Sequence, residues 1–155
     1  MPDLSGFGDG WIPPVAFHFS VRIDNDTLAF QEVSGLSVEM QTETVPEGGE
    51  NRLVHELPTS LKCGRVELKR AIAKTGDPLI AWCRDVLESD FSQPIKPKQV
   101  FIFLLDMDGQ PLRGWTLVQA YPVKWSVDGF SSTKNELAIE SITLACTGVV
   151  RIQES

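Results

Sequence analysis

The chain has 155 residues, 14 Lys+Arg against 21 Asp+Glu, and a formal net charge of −7. A hydrophobic fraction of 42% can fill the core of one domain, which excludes disorder as a global description. The acidic balance excludes a phosphate-backbone binder, which needs clustered Lys and Arg.

The longest apolar run, Val100 to Leu105, is far shorter than the roughly 20 residues of a membrane-spanning helix. No basic segment followed by an apolar stretch opens the chain, so no secretory leader is expected. Cys63, Cys83 and Cys146 lack C-x-x-C spacing. They are read as reduced thiols made in a reducing compartment, not as a disulfide framework or a zinc site.

Residues 1–14 read as a flexible arm and 15–155 as a single β domain. Gly6, Gly8 and Gly10 lack the strand before and the helix after that a nucleotide loop requires. From Val15 the pattern has a period of two. Phe17, Phe19, Val21 and Ile23 share one face, and His18, Ser20 and Arg22 the other, which predicts a half-buried strand. Asp24 to Thr27 is a turn. A second extended stretch begins near Leu28, and Gly35 is read as a bulge within it. Leu36, Val38 and Met40 alternate there with Glu39, Gln41 and Glu43.

Pro46-Glu47-Gly48-Gly49-Glu50-Asn51 is the strongest turn signal in the chain, because paired glycines accept positive φ. The return strand is expected to end at Pro58. A further strand runs from Arg65 to Arg70, with Val66 and Leu68 inward. Asp77 then offers an N-cap and Pro78 a first helical position. Leu79, Trp82, Cys83, Val86 and Leu87 form one apolar stripe behind them.

The last third returns to strands. Val100 to Leu105 is apolar on both faces, so Phe101, Phe103 and Leu105 need core or another subunit beside them. Asp106-Met107-Asp108-Gly109 turns the chain; it lacks the later acidic ligands of a calcium loop. Strands are read at 115–120 and 123–127, a turn at Ser131 to Asn135, and a final strand from Leu137 to Val150 that slips near Ser141. The tally is seven or eight strands and one helix: a mainly-β antiparallel sandwich or barrel with a flanking helix.

No G-x-S-x-G elbow and no H-E-x-x-H motif is present, and His18 and His55 have no partner His or Cys at ligand spacing. The expectation is therefore no catalytic residue, no metal and no cofactor. Two other classes fit the same residues: a monomeric ligand-binding β-sandwich, and an acid/base enzyme using carboxylates that spacing cannot pair.

Six segments in order carry a family resemblance: Phe30 to Leu36, Glu43 to Asn51, Val66 to Arg70, Leu79 to Trp82, Trp115 to Trp125, and Asn135 to Glu140. Together they resemble the tail tube proteins of contractile phages and phage-like injection systems, over about residues 15–150. The resemblance implies a hexameric ring whose sheets merge into one β-barrel lumen, stacked into a tube inside a contractile sheath. It implies as partners further copies of the chain, sheath, baseplate and spike proteins, and a cargo of effector or DNA. It implies assembly, after synthesis in the cytoplasm, into a virion or an injection particle. A tube initiator joining spike to tube shares the same motifs and is the second reading.

Ten extended residues at about 3.3 Å each reach roughly 33 Å, so the hairpin from Leu36 out to its turn projects from a compact sandwich. The stacked-ring assembly makes the neighbouring ring its expected support, through Pro46 to Arg52. Glu39, Gln41 and Glu43 are the candidate lumen-facing carboxylates and amide. Phe101, Phe103 and Leu105 are the candidate interface or core strand.

Overall fold

The computed structural model describes residues 18–46, 54–72, 77–92, 94–128 and 138–152. The arm at 1–14, the start of the first strand at 15–17, the hairpin tip at 47–53 and the turn at 131–135 lie outside them. Ten strands and one helix are described: β1 (His18–Ile23), β2 (Asp26–Phe30), β3 (Glu32–Ser34), β4 (Val38–Pro46), β5 (Val54–Cys63), β6 (Val66–Ala71), α1 (Pro78–Leu87), β7 (Lys98–Leu105), β8 (Pro111–Asp128), β9 (Ile139–Ala145) and β10 (Gly148–Ile152). The strand tally is thus higher than the seven or eight expected.

Two corner strands build the body. The 18-residue β8 pairs with β7 and β10 along its first half and with β9 along its second. At the corner Gln119 takes a φ of +50°, and the register shifts between Lys98 and Val100 opposite it. The two stretches expected around Trp115 and Trp125 are one bent strand. The second corner is the β2–β3 pair. β2 pairs with β1, β3 pairs with β6, and only Gln31 separates them. The Gln31 N–H donates to the Lys69 carbonyl at 2.9 Å. The path β2-β1-β7-β8-β9-β6-β3 therefore returns to its start through the chain itself, closing an antiparallel barrel.

Alternation places Val21, Ile23, Val66, Leu68, Val100, Ile102, Leu117, Ile142 and Leu144 inside, and all are buried. The helix forms as its residues dictate. The Asp77 carboxylate accepts the Leu79 N–H at 2.9 Å, and Pro78 opens the first turn. Leu79, Trp82 and Cys83 enter the core, while Leu87 is exposed.

Three further expectations are corrected. Gly35 is a break between sheets, with φ +84°, and no bulge. Pro58 does not end the return strand; it sits within β5 opposite Thr42, at a register shift in a two-stranded sheet whose strands are both edges. The final strand is interrupted at Cys146-Thr147, not at Ser141, and its two parts both follow β8.

Candidate assembly interface

β4 and β5 form a sheet of their own, separate from the barrel. Every described side chain from Val38 to Val45 and from His55 to Lys62 is exposed, on both faces of the ribbon. Cross-strand partners share a face. Val38 lies opposite Cys63, Met40 opposite Leu61 and Thr42 opposite Pro58, so one face is largely apolar. Its exposures are high: 50% for Val38, 54% for Met40 and 64% for Leu61. Glu39 lies opposite Lys62, Gln41 opposite Ser60 and Glu43 opposite Leu57, which makes the other face mainly polar. The three candidate lumen residues thus share one exposed polar surface. Pro46 ends β4; Glu47, Gly48, Gly49, Glu50, Asn51 and Arg52 lie outside the described residues.

Phe101, Phe103 and Leu105 point away from Val100 and Ile102, and all three are half-buried outside the core cluster. Phe103 lies opposite Gly114 on β8 and Ser20 on β1. Its ring covers Gly114 so closely that a methyl group there would sit 2.9 Å from it. The aromatic thus fills the space that the glycine leaves on the sheet's outer face.

The apolar face of the hairpin escaped the sequence reading, because Pro58 hid the continuation of β5 to Leu61 and Cys63. Also missed was a groove of about 370 Å³ between α1 and β8, lined by Ile80, Cys83, Arg84, Leu87, Glu88 and Trp125. A buried ionic cluster stands behind it. Arg70 Nε donates to Glu140 Oε2 at 3.1 Å, and Arg70 Nη1 to Asp77 Oδ2 at 3.0 Å. Trp125 Nε1 donates to Glu140 Oε1 at 2.7 Å, and the guanidinium lies 4.9 Å from the Phe30 ring centre. This cluster locks the helix N-cap to β6, β8 and β9. Burial pushes the neighbouring Cys83 thiol up to about 12, with the Glu140 charge adding to the effect.

Among the described residues no three His, Cys, Asp or Glu side chains gather as metal ligands. Asp106 Oδ1 accepts the Asp108 and Gln110 N–H groups at 2.9 Å each, which accounts for that turn. No described helix is long and apolar enough to cross a membrane.

A search of curated protein sequences gives no match. Among solved structures, a chain of the anti-feeding prophage baseplate is 26% identical, with a TM-score of 0.69, covering 88% of this chain and 91% of that one. A chain of the PVC sheath–tube complex of an extracellular contractile injection system is 22% identical, with a TM-score of 0.76, covering 99% and 100%. Hcp1 from Flavobacterium johnsoniae shares the fold at 16% identity and a TM-score of 0.57, covering 86% and 94%. The family described as T4-like virus tail tube protein gp19 matches residues 15–150, and the chain belongs to that family.

Proposed function

We propose that six copies of this chain close into a ring with one shared β-barrel lumen, and that rings stack into the tube of a contractile particle. As a member of the tail tube family, the chain is a structural inner tube protein; the proposal adds how its surfaces build the tube. The hairpin carries the reading. An isolated two-stranded ribbon is marginal in water. This one leaves Val38, Met40 and Leu61 exposed on one face. A neighbouring copy that covered them would satisfy both facts.

Phe101, Phe103 and Leu105 supply the lateral contact in this reading, where the outer sheet face meets the next copy. Glu39, Gln41 and Glu43 line the lumen, where excess carboxylate keeps DNA or acidic cargo from adhering. Pro46 to Arg52 reach the adjacent ring. A sheath outside the tube and a baseplate with its spike below it are the outer partners, by analogy with the assemblies in which similar folds are found. The assembled particle is a phage tail or an extracellular injection device.

Likeness to a baseplate chain at 26% identity favours a second reading, a tube initiator that joins spike to tube. Negative-stain electron microscopy of the purified chain separates the two. Stacked tubes support the bulk tube, and single rings that cap added tubes support the initiator. Monomers at every concentration would sink both.

A further inference from the structure

Two cysteines far apart in sequence meet at the root of the hairpin. Cys63 is the last residue of β5, and Cys146 fills the break between β9 and β10. β5 touches β10 there, and Val38, the cross-strand partner of Cys63, lines a small groove with Val149 and Arg151. Both thiols are half-buried and free. Burial raises the Cys146 thiol above its ordinary range. The Cys63 charge and a side-chain hydrogen bond with Cys63 add to that rise, against a backbone hydrogen bond from Gly148. The packing of β5 against β10, and the side-chain hydrogen bond between the two cysteines, set the thiols side by side.

We propose that Cys63 and Cys146 are a disulfide-forming pair that clamps the hairpin to the barrel when the protein meets an oxidising medium. The oxidant is a small-molecule disulfide such as oxidised glutathione. The Cys63 thiolate attacks one sulfur of the small disulfide, forming a mixed disulfide and releasing one small thiolate. Cys146 loses its proton to solvent and attacks Cys63 Sγ, closing the protein disulfide and releasing the second small thiolate. Two protein thiols are oxidised and one small disulfide is reduced to two thiols. Cys146 is held protonated near neutrality, so closure accelerates as pH rises. Cys83, buried in the core with a thiol raised to about 12, stays outside the exchange.

The clamp matters because, among the described residues, the hairpin strands meet the barrel chiefly where β5 lies against β10. The bond would join residues 63 and 146, 83 positions apart, and a cross-link over so long a segment restrains the unfolded chain strongly. It would also hold the hairpin at one exit angle, ready for a neighbouring copy.

The test uses the full chain, incubated with oxidised glutathione at mildly alkaline pH, then alkylated and digested without reductant. Trypsin should yield the peptide Cys63–Arg65 joined to the peptide Asn135–Arg151, with Cys83 alkylated only after denaturation. The oxidised protein should melt at a higher temperature than the reduced one, and dithiothreitol should abolish the gain. A stable glutathione adduct on Cys63 with Cys146 still free would overturn the proposal. So would a linkage between two chains, or an intrachain bond that leaves the melting temperature unchanged.

Discussion

Gly64 lies so close to Gly35 that a methyl group on Gly64 would sit 2.9 Å from the Gly35 carbonyl oxygen and 2.3 Å from Ser37 Oγ. Gly35 is held tighter still by the residue after Gly64: a methyl group on Gly35 would sit 2.0 Å from the Arg65 carbonyl oxygen, and φ there is +84°. The two strands of the hairpin thus leave the barrel through a crossing that only glycine permits. The Gly64 N–H donates to the Ser37 carbonyl at 3.1 Å and ties the crossing together.

Alanine at either glycine should therefore disturb the hairpin root. For Gly35→Ala the left-handed backbone alone costs about 1–3 kcal/mol, and the clash adds to it. Gly64→Ala meets a movable hydroxyl as well as a fixed carbonyl, so adding Ser37→Ala should recover part of the loss and not all. Thermal melts of the single and double variants measure this. Full recovery in the double variant would show that the backbone contact does not constrain the root.

The Arg70–Glu140 pair makes a second prediction. Both side chains are nearly inaccessible, at 7% and 2% exposed. Removing Glu140 leaves Arg70 with Asp77 alone, and removing Arg70 leaves Glu140 charged with only the Trp125 N–H, both in a poorly solvated site, at a cost of up to about 3–5 kcal/mol. Glu140→Ala also strips the acceptor from Trp125 Nε1. It should be more damaging than replacing both charges with apolar residues, as in Arg70→Met with Glu140→Leu. Denaturant titration of the three proteins decides this. Equal stability of the single and double variants would mean that the charges do not depend on each other.

Legibility in the sequence followed the range of the interaction. The Asp77-Pro78 start of α1 and the inward Val66 and Leu68 were readable, because capping and alternation are local. The barrel closure was not, because Gln31 joins two sheet edges only once β6 is beside it. Nor was the Arg70–Glu140 pair, whose members are 70 residues apart. Pro58 misled in a specific way: a proline ends a central strand, but β4 and β5 are both edge strands and tolerate it. Turn chemistry and strand length marked the hairpin as a projecting element, and the family resemblance added what spacing could not, a neighbouring ring as its expected support.

Alkaline conditions should reveal Cys83. Its thiol titrates near 9 in the unfolded chain and at about 12 in the fold. Between those values the unfolded chain has lost the proton and the native one keeps it, so stability falls as pH rises. Below about pH 9 the contribution is constant. Cys83→Ala should lower stability at neutral pH through the lost packing and flatten the decline above about pH 9. Melts at a series of alkaline pH values check the slope. An unchanged slope in Cys83→Ala would assign the alkaline loss to other groups.

The outer sheet face offers a test of lateral contact. Phe103 packs over Gly114 at the sheet surface, outside the core cluster. Phe103→Asp should therefore leave the barrel folded and abolish rings, as read by circular dichroism and sizing. Normal rings would remove this face from the interface. A collapsed fold would show that the ring stabilises the sheet itself.

The tip of the hairpin can be tested separately from its faces. Replacing Glu47 to Asn51 with a short Gly-Ser turn should leave rings intact while stacking into tubes fails. Tubes of full length from that variant would show that another element holds the stack.

The two faces of the hairpin should separate assembly from lumen chemistry within one element. Met40 and Leu61 are neighbours on the apolar face, and Glu39 and Glu43 share the polar one. Met40→Asp with Leu61→Asp puts like charges directly opposite each other on a surface that a neighbouring copy is proposed to bury. The barrel core lies elsewhere, so the chain should fold and remain monomeric. Glu39→Lys with Glu43→Lys changes the charge of each subunit from −7 to −3, by two exchanges of −1 for +1. If these residues line the channel, rings should still form, and their lumen should now attract phosphate. Filter binding with short single-stranded DNA reads this. The lysine variant should retain DNA at low salt and release it as salt rises, while wild-type rings retain none. Failure of the lysine variant to assemble would place Glu39 and Glu43 in a subunit contact. DNA retention by wild-type rings would remove the argument for an acidic channel.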